Sequence, residues 1–257
     1  MIIDTHLHLG KQGPFRLEYD KLLRQMKRNG IRKGIVSTVA CAEYRPDVNQ
    51  LLPEQYDQLE ANRELLEQCR GSNGRLYLSF WCKPATEPAD GIYDFVRENR
   101  ELVKGLKFHP FYSRMPLEDP RYEPYLDIAR ELKLPVSVHT AADDLSSPEQ
   151  LLAMAKRHRE VDFIMVHLGL CSDNEAAITC LAQADNLFGD TTWVPIEKVR
   201  KAMKLCGSEK LLFGSDAPID AEKSYDFYRP MLRSYRLCPW GAWADVMCRN
   251  ARRLFDL

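Results

Sequence analysis

The chain has almost no net charge. Its 257 residues carry 36 Lys and Arg against 37 Asp and Glu, a formal −1 at pH 7. That balance leaves no electrostatic footprint for nucleic acid or an anionic membrane surface. The basic pieces, such as Lys21 to Arg28 and Lys198 to Lys204, fall on helix-like segments and read as solvated faces. No apolar run approaches the roughly 20 residues that span a bilayer, and the chain opens with structure rather than a leader peptide. A soluble, cytoplasmic protein is expected. None of the eight cysteines is paired as Cys-x-x-Cys, which argues against a zinc ribbon or a disulfide framework and for reduced thiols. The Gly-x-Gly-x-x-Gly turn of an open dinucleotide-binding sheet is missing after the first strand.

What is present is a regular alternation. Hydrophobic residues make up 45% of the chain and charged residues 28%, enough apolar material for a large core. Strand-like runs at Ile2–Gly10, Gly34–Ala40, Leu76–Phe80, Val103–Phe108, Pro135–His139, Val161–Val166, Leu187–Asp190 and Leu211–Asp216 are near-continuously apolar, as parallel strands buried on both faces should be. Helix patterns separate them: Leu17 to Asn29, roughly Gln55 to Gln68, Ile92 to Arg100, a face of Tyr122, Tyr125, Leu126, Ala129 and Leu132, a helix opened by the capping box Ser147-Pro148-Glu149-Gln150, roughly Asn174 to Ala184, and Ile196 to Leu205. Trp240, Trp243 and Val246 to Phe255 supply closing helices. Eight strand-then-helix units in this length predict one α/β domain over residues 1–257, a (β/α)8 TIM barrel with C-terminal closing helices.

The polar residues fall at particular places. His6, His8, Lys107, His109, His139, His167 and Asp216 all sit at C-terminal ends of predicted strands, and of the six histidines only His158 does not. In a barrel those ends share the face that carries chemistry. Strand alternation puts Asp4, His6 and His8 on one face, so two imidazoles can converge on one metal at roughly 2.0 to 2.1 Å. The competing reading of that pair alone is two exposed histidines past a strand end.

In this order, Ile3-Asp4-Thr5-His6-Leu7-His8, Gly105-Leu106-Lys107-Phe108-His109-Pro110, the strand-end His139 and His167, Gly214-Ser215-Asp216-Ala217-Pro218, and Asn250-Ala251-Arg252-Arg253-Leu254-Phe255 resemble the amidohydrolase superfamily over the whole chain. The likeness is to the amidohydrolase-related branch that includes 2-amino-3-carboxymuconate-semialdehyde decarboxylase and 2-pyrone-4,6-dicarboxylate lactonase. It implies that His6, His8, His139 and Asp216 bind a metal, and that His167 is a non-ligand group orienting water or substrate. Such a donor set leaves room for a water whose pKa falls toward about 7 on zinc, with Asp216 taking its proton. One divalent ion per chain is expected, zinc first, with manganese, iron, cobalt or nickel as alternatives.

The sequence departs from relatives that bridge two metals with a Glu or a carboxylated Lys on the fourth strand; here that strand carries Lys107 and His109. An uncarboxylated Lys107 holding a substrate carboxylate or phosphate is preferred, with His109 beside it in substrate binding; a carboxylated Lys107 and a purely structural ion pair are the alternatives. Cys82 and Cys171, just past strand ends, are read as small buried residues rather than soft ligands. Tyr44, Arg45, Tyr112, Arg114 and Trp193 lie on loops at the same face. The short loops suggest a small-molecule substrate, or a site completed by a second subunit of a homo-oligomer. The expected function is metal-dependent hydrolysis of an ester, lactone or amide in a small anionic molecule. The alternatives are a non-oxidative decarboxylase or hydratase of an unsaturated acid, and a metal-binding barrel without turnover.

Overall fold

A computed structural model of the chain describes residues 1–52, 57–233 and 240–257. Eight barrel strands appear in sequence order: β1 (Ile2–Gln12), β2 (Ile31–Thr38), β3 (Leu76–Trp81), β4 (Val103–Phe108), β5 (Val136–Ala141), β6 (Phe163–Leu170), β7 (Leu187–Asp190) and β8 (Leu211–Leu212). Each is hydrogen-bonded in parallel to its sequence neighbour, and a short strand Phe15–Leu17 folds back antiparallel on the end of β1. Parallel neighbours need crossovers, and helices supply them: α1 (Tyr19–Arg28), α2 (Gln58–Gly71), α3 (Ile92–Glu98), α4 (Glu123–Glu131), α5 (Pro148–Arg157), α6 (Glu175–Leu181) and α7 (Ile196–Cys206).

The regular ladder of β8 is two residues long, yet the chain continues beside β1 and closes the ring. Thr5 N–H donates to Phe213 O at 2.8 Å, Asp216 N–H to His6 O at 2.8 Å and His8 N–H to Ala217 O at 2.9 Å. The barrel expected from the sequence is therefore formed, with its seam at the stretch that carries Asp216.

Local chemistry starts the helices where their caps stand. Ser147 accepts from Gln150 N–H ahead of Pro148, as the capping box predicts. Asp57 accepts from Leu59 and Glu60 N–H and so begins α2 at Gln58; the start expected at Gln55 lies outside the described residues. Asp119 caps a 3-10 turn, Pro120–Tyr122, which leads into α4. The closing segment runs from Trp240–Ala244 through a π-helical turn, Asp245–Arg249, into Asn250–Phe255.

Two apolar layers result. One lies between strands and helices and includes Leu7, Val36, Leu78, Phe108 and Met165. The other joins Ile3, Ile35, Ile164, Val166, Phe188 and Leu212 of five strands to Ala251, Leu254 and Phe255 of the last helix. Gly105 has no side chain because that helix needs the space: a Cβ there would meet Phe255 Cε1 at 3.3 Å and Pro135 O at 3.0 Å.

β1 breaks strict alternation. Its pairing with β2 shifts register between Asp4 and Leu7, and Ile3 and Leu7, which alternation places together, belong to different layers. The expectation that Asp4 shares a face with His6 and His8 is thereby corrected. Asp4 turns to the seam, where it accepts from Ser215 Oγ (2.5 Å), Ser215 N (3.2 Å), Tyr225 Oη (2.9 Å) and His6 N (3.2 Å). The seven cysteines among the described residues are all unpaired. Among those residues, no helix is long and apolar enough to cross a membrane.

Candidate functional site at the barrel mouth

The bulge that turns Asp4 away leaves His6 and His8 pointing into the mouth. Their Nε2 atoms are 3.0 Å apart, and Asp216 Oδ1, arriving across the seam, stands 3.1 Å from His8 Nε2 and 3.6 Å from His6 Nε2. This His6–His8–Asp216 group, buried throughout, is the one gathering of three metal-capable side chains found among the described residues.

The far side of each imidazole is held. His6 Nδ1 lies 3.1 Å from Asp190 Oδ2 and 3.1 Å from Thr192 Oγ1. A carboxylate only accepts, so Nδ1 carries the proton and Nε2 presents a lone pair to the cluster. His8 Nδ1 sits against Ser37 Oγ at 3.1 Å. Gly214 makes the approach possible, since a Cβ there would meet Thr192 Oγ1 at 2.5 Å, Asp190 Oδ2 at 2.8 Å and His6 Cβ at 3.0 Å.

Behind the cluster stand the other strand-end groups. Lys107 Nζ is 3.5 Å from His6 Nε2 and fully enclosed. His109 follows β4 and opens a helical turn, Pro110–Ser113, accepting Tyr112 N–H at Nδ1, so its Nε2 bears the proton. Its ring is sandwiched between Trp81 (centroids 5.4 Å, 11°) and His139 (3.9 Å, 13°). His167 meets His6 and His139 edge-on at 5.1 and 4.8 Å. Its backbone is left-handed at φ 71° and its N–H is tied to Asp190 Oδ1. Its Nδ1 is buried with no partner among the described residues.

All seven strand-end residues named from the sequence line one cavity of about 320 Å³. His6, His8 and Asp216 are drawn together; His139 faces the same cavity but stands outside that group. Of the loop residues, Tyr112 lines the cavity, Arg114 lies over the rings of Tyr44 and Phe111, Arg45 pairs with Asp47, and Trp193 reaches Asp216 from outside. Neither Cys82 nor Cys171 is part of the lining; Cys82 is buried, as expected, but Cys171, expected to be buried, is exposed. Asp190 was not singled out from the sequence; the available signal was an acid at the end of a strand, on the face that carries the histidines.

Charge follows burial. Desolvation, then the Lys107 ammonium, lowers His6. Burial first, then the crowding of imidazoles that cannot all be protonated together and the Lys107 ammonium, hold His109 and His139 well below the usual histidine range and bring His167 down to about 4. Burial brings Lys107 down to about 8. For Asp216, burial pushes up but the His6, His8 and His167 imidazoles outweigh it, and the carboxyl stays well below its ordinary value. At neutral pH the carboxylates of Asp216 and Asp190 therefore stand against the ammonium of Lys107, beside the neutral rings of His6, His109, His139 and His167.

A divalent cation fits this arrangement. His6 Nε2, His8 Nε2 and Asp216 Oδ1 converge; a single proton among them can join only one pair well, while an ion at about 2 Å serves all three. The excess of carboxylate over ammonium points the same way.

The whole chain finds its likeness among solved structures. A probable 2-pyrone-4,6-dicarboxylic acid hydrolase from Acinetobacter baumannii, with citric acid bound, superposes with a TM-score of 0.70 at 14% identity, covering 100% of this chain and 99% of that one. A manganese-bound 5-carboxyvanillate decarboxylase from Novosphingobium aromaticivorans gives 0.77 at 13%, covering 100% and 97%. A 2,6-dihydroxybenzoate decarboxylase from Rhizobium gives 0.72 at 16%, covering 99% and 98%. No curated protein matches the sequence. The family model described as Amidohydrolase matches residues 3–257, and the chain therefore belongs to the amidohydrolase family.

Proposed function

We propose that the chain is a metal-dependent hydrolase that cleaves an ester, lactone or amide bond of a small anionic molecule. The observation that carries this reading is the convergence of His6 Nε2, His8 Nε2 and Asp216 Oδ1 beside the buried ammonium of Lys107. One divalent ion, zinc before manganese, would be held by His6, His8 and Asp216, with His139 on the same wall as a further donor. When bound, it supplies Lewis acidity to a water or carbonyl oxygen.

The chain's own residues do the rest. Lys107 binds the anionic group as a point charge. His109, locked as the Nε2–H tautomer, donates to a substrate oxygen, and Phe15, Phe111, Leu170 and Ile219 exclude bulk water from the cavity. Asp216 takes a proton from the attacking water as its oxygen bonds the carbonyl carbon. The C–O or C–N bond then breaks and the proton passes to the leaving atom. His167, neutral at pH 7, orients the water.

A second reading is favoured by the apolar walls: a carboxylate enclosed among aromatic rings is poised to lose carbon dioxide, and the same His6–His8–Asp216 group would then serve a decarboxylase. Solved decarboxylases among the structural neighbours support it. The deciding experiment strips the protein with chelator, reloads it with Zn2+ or Mn2+, and offers lactones, esters, amides and unsaturated or aromatic acids in H2 18O. Solvent oxygen in the product supports hydrolysis, and carbon dioxide release without it supports the lyase. No turnover by fully loaded protein refutes both and leaves a binding barrel.

A further inference from the structure

Trp193 stands three residues beyond Asp190, in the loop that leaves β7, with its backbone in the left-handed region at φ 58°. For a bulky residue that conformation costs about 1–2 kcal/mol, so something must hold it. Its N–H donates to Tyr228 Oη at 3.0 Å, and the same hydroxyl donates to Ser215 O at 3.0 Å. The indole is packed against the rings of Phe227 and Tyr228.

What this posture achieves is a contact at the seam. The indole Nε1–H donates to Asp216 Oδ2 at 3.0 Å, on the opposite oxygen from the one that faces His8. The rotation that exchanges a carboxylate's two oxygens is soft and roughly two-fold. A donor on one oxygen removes that freedom. Indole is suited to the role because it donates without accepting and cannot take the proton that the carboxylate receives.

We infer that Trp193 is a positioning residue for Asp216: its indole N–H pins Oδ2 and reserves Oδ1 for the His6–His8 cluster, while Tyr228 holds Trp193 in place. The pinning contact stands without a metal, and only its effect on metal affinity rests on the function proposed above. Four tryptophans give four indole signals in a 1H–15N spectrum of labelled protein, and Trp193→Phe identifies one of them. In metal-free protein, Asp216→Asn shifts that signal, because a neutral amide replaces the charged acceptor. Tyr228→Phe shifts it as well, by releasing the loop. Adding Zn2+ to the wild type moves the same signal, and Trp193→Phe weakens Zn2+ binding about 3- to 10-fold in chelator competition while keeping the thermal midpoint within a few degrees. A wild type that binds no Zn2+ refutes the metal reading and leaves the metal-free spectra to judge the pinning. An unchanged Trp193 signal in metal-free Asp216→Asn overturns the inference, as does unaltered Zn2+ affinity in Trp193→Phe when the wild type binds. Should Trp193→Phe fail to fold, the signals of Trp81, Trp240 and Trp243 are assigned from their own Phe variants, the remaining one is that of Trp193, and its response in metal-free Asp216→Asn decides.

Discussion

Asp190→Asn is the substitution that tests the design of the site most sharply, because it changes one proton and almost no volume. Asp190 Oδ1 accepts His167 N–H at 2.8 Å and Thr192 N–H at 3.1 Å, and Oδ2 accepts Thr192 Oγ1–H at 2.9 Å and faces His6 Nδ1 at 3.1 Å. In the variant the amide carbonyl must stay where two backbone donors point, so the new NH2 lands opposite His6 Nδ1. Two donors then face each other. His6 escapes by moving its proton to Nε2, which removes the lone pair from the cluster. The lost charge-assisted bond is worth about 1.5–3 kcal/mol. Partners behind a metal ligand typically govern 10- to 100-fold in affinity, or about 1.4–2.7 kcal/mol, and the two figures agree. Chelator competition with Zn2+ on metal-stripped protein should show that loss, and long-range 1H–15N spectra of the imidazoles should show the His6 proton moved from Nδ1 to Nε2. A variant with Zn2+ affinity within about twofold of the wild type and the His6 tautomer unchanged would refute the reasoning.

Three further outcomes are expected. Asp216→Asn keeps most of its metal while kcat falls about 10²- to 10⁴-fold, the range for a lost acid–base group; metal-replete protein with near-normal turnover moves the base to His167. Lys107→Met raises KM for an anionic substrate without stripping the metal, since the ammonium 3.5 Å from His6 Nε2 repels a cation rather than holding it; loss of metal on elemental analysis would make Lys107 a ligand. Asp4→Ala leaves the donors of Ser215, Tyr225 and His6 unpaired inside the seam, at roughly 1–3 kcal/mol for each orphan. Its thermal midpoint should drop by more than about 5 °C, and a midpoint unchanged within error contradicts the seam as drawn.

The barrel was legible in the sequence because parallel strands buried on both faces leave unbroken apolar runs, and because a polar residue ending such a run must emerge at the mouth. His6, His8, Lys107, His109, His139, His167 and Asp216 were found on that logic, and all line the cavity. The family resemblance carried by the same motifs is borne out by the match over residues 3–257. Asp4 was misplaced because alternation assumes an unbroken ladder, and a one-residue bulge leaves no mark in composition. Asp190 escaped notice because its role is to hold another side chain, and the contact of Asp190 with the far side of His6 exists only once the ring has closed. Trp193 was recognised as a loop residue at the right face, but its left-handed backbone and its grip on Asp216 are set by Tyr228, distant in sequence. His6, His8 and Asp216 stand together, while His139, expected as a fourth ligand, lines the same cavity stacked on His109.

The seam has a consequence for how the protein comes to be made. Thr5 and Phe213, whose backbones join there, are separated by 208 positions in the chain. A ribosome releases β1 long before its partner exists, and during that interval one edge of the growing sheet offers unpaired amides and carbonyls to any neighbouring strand. Contacts so far apart in sequence are also slow to form. The metal-capable cluster straddles the same seam, so it can be assembled only in the final step. An ion added during refolding should therefore speed the yield of closed protein rather than early collapse, and nascent chains cut short of residue 213 should depend on chaperones to stay apart.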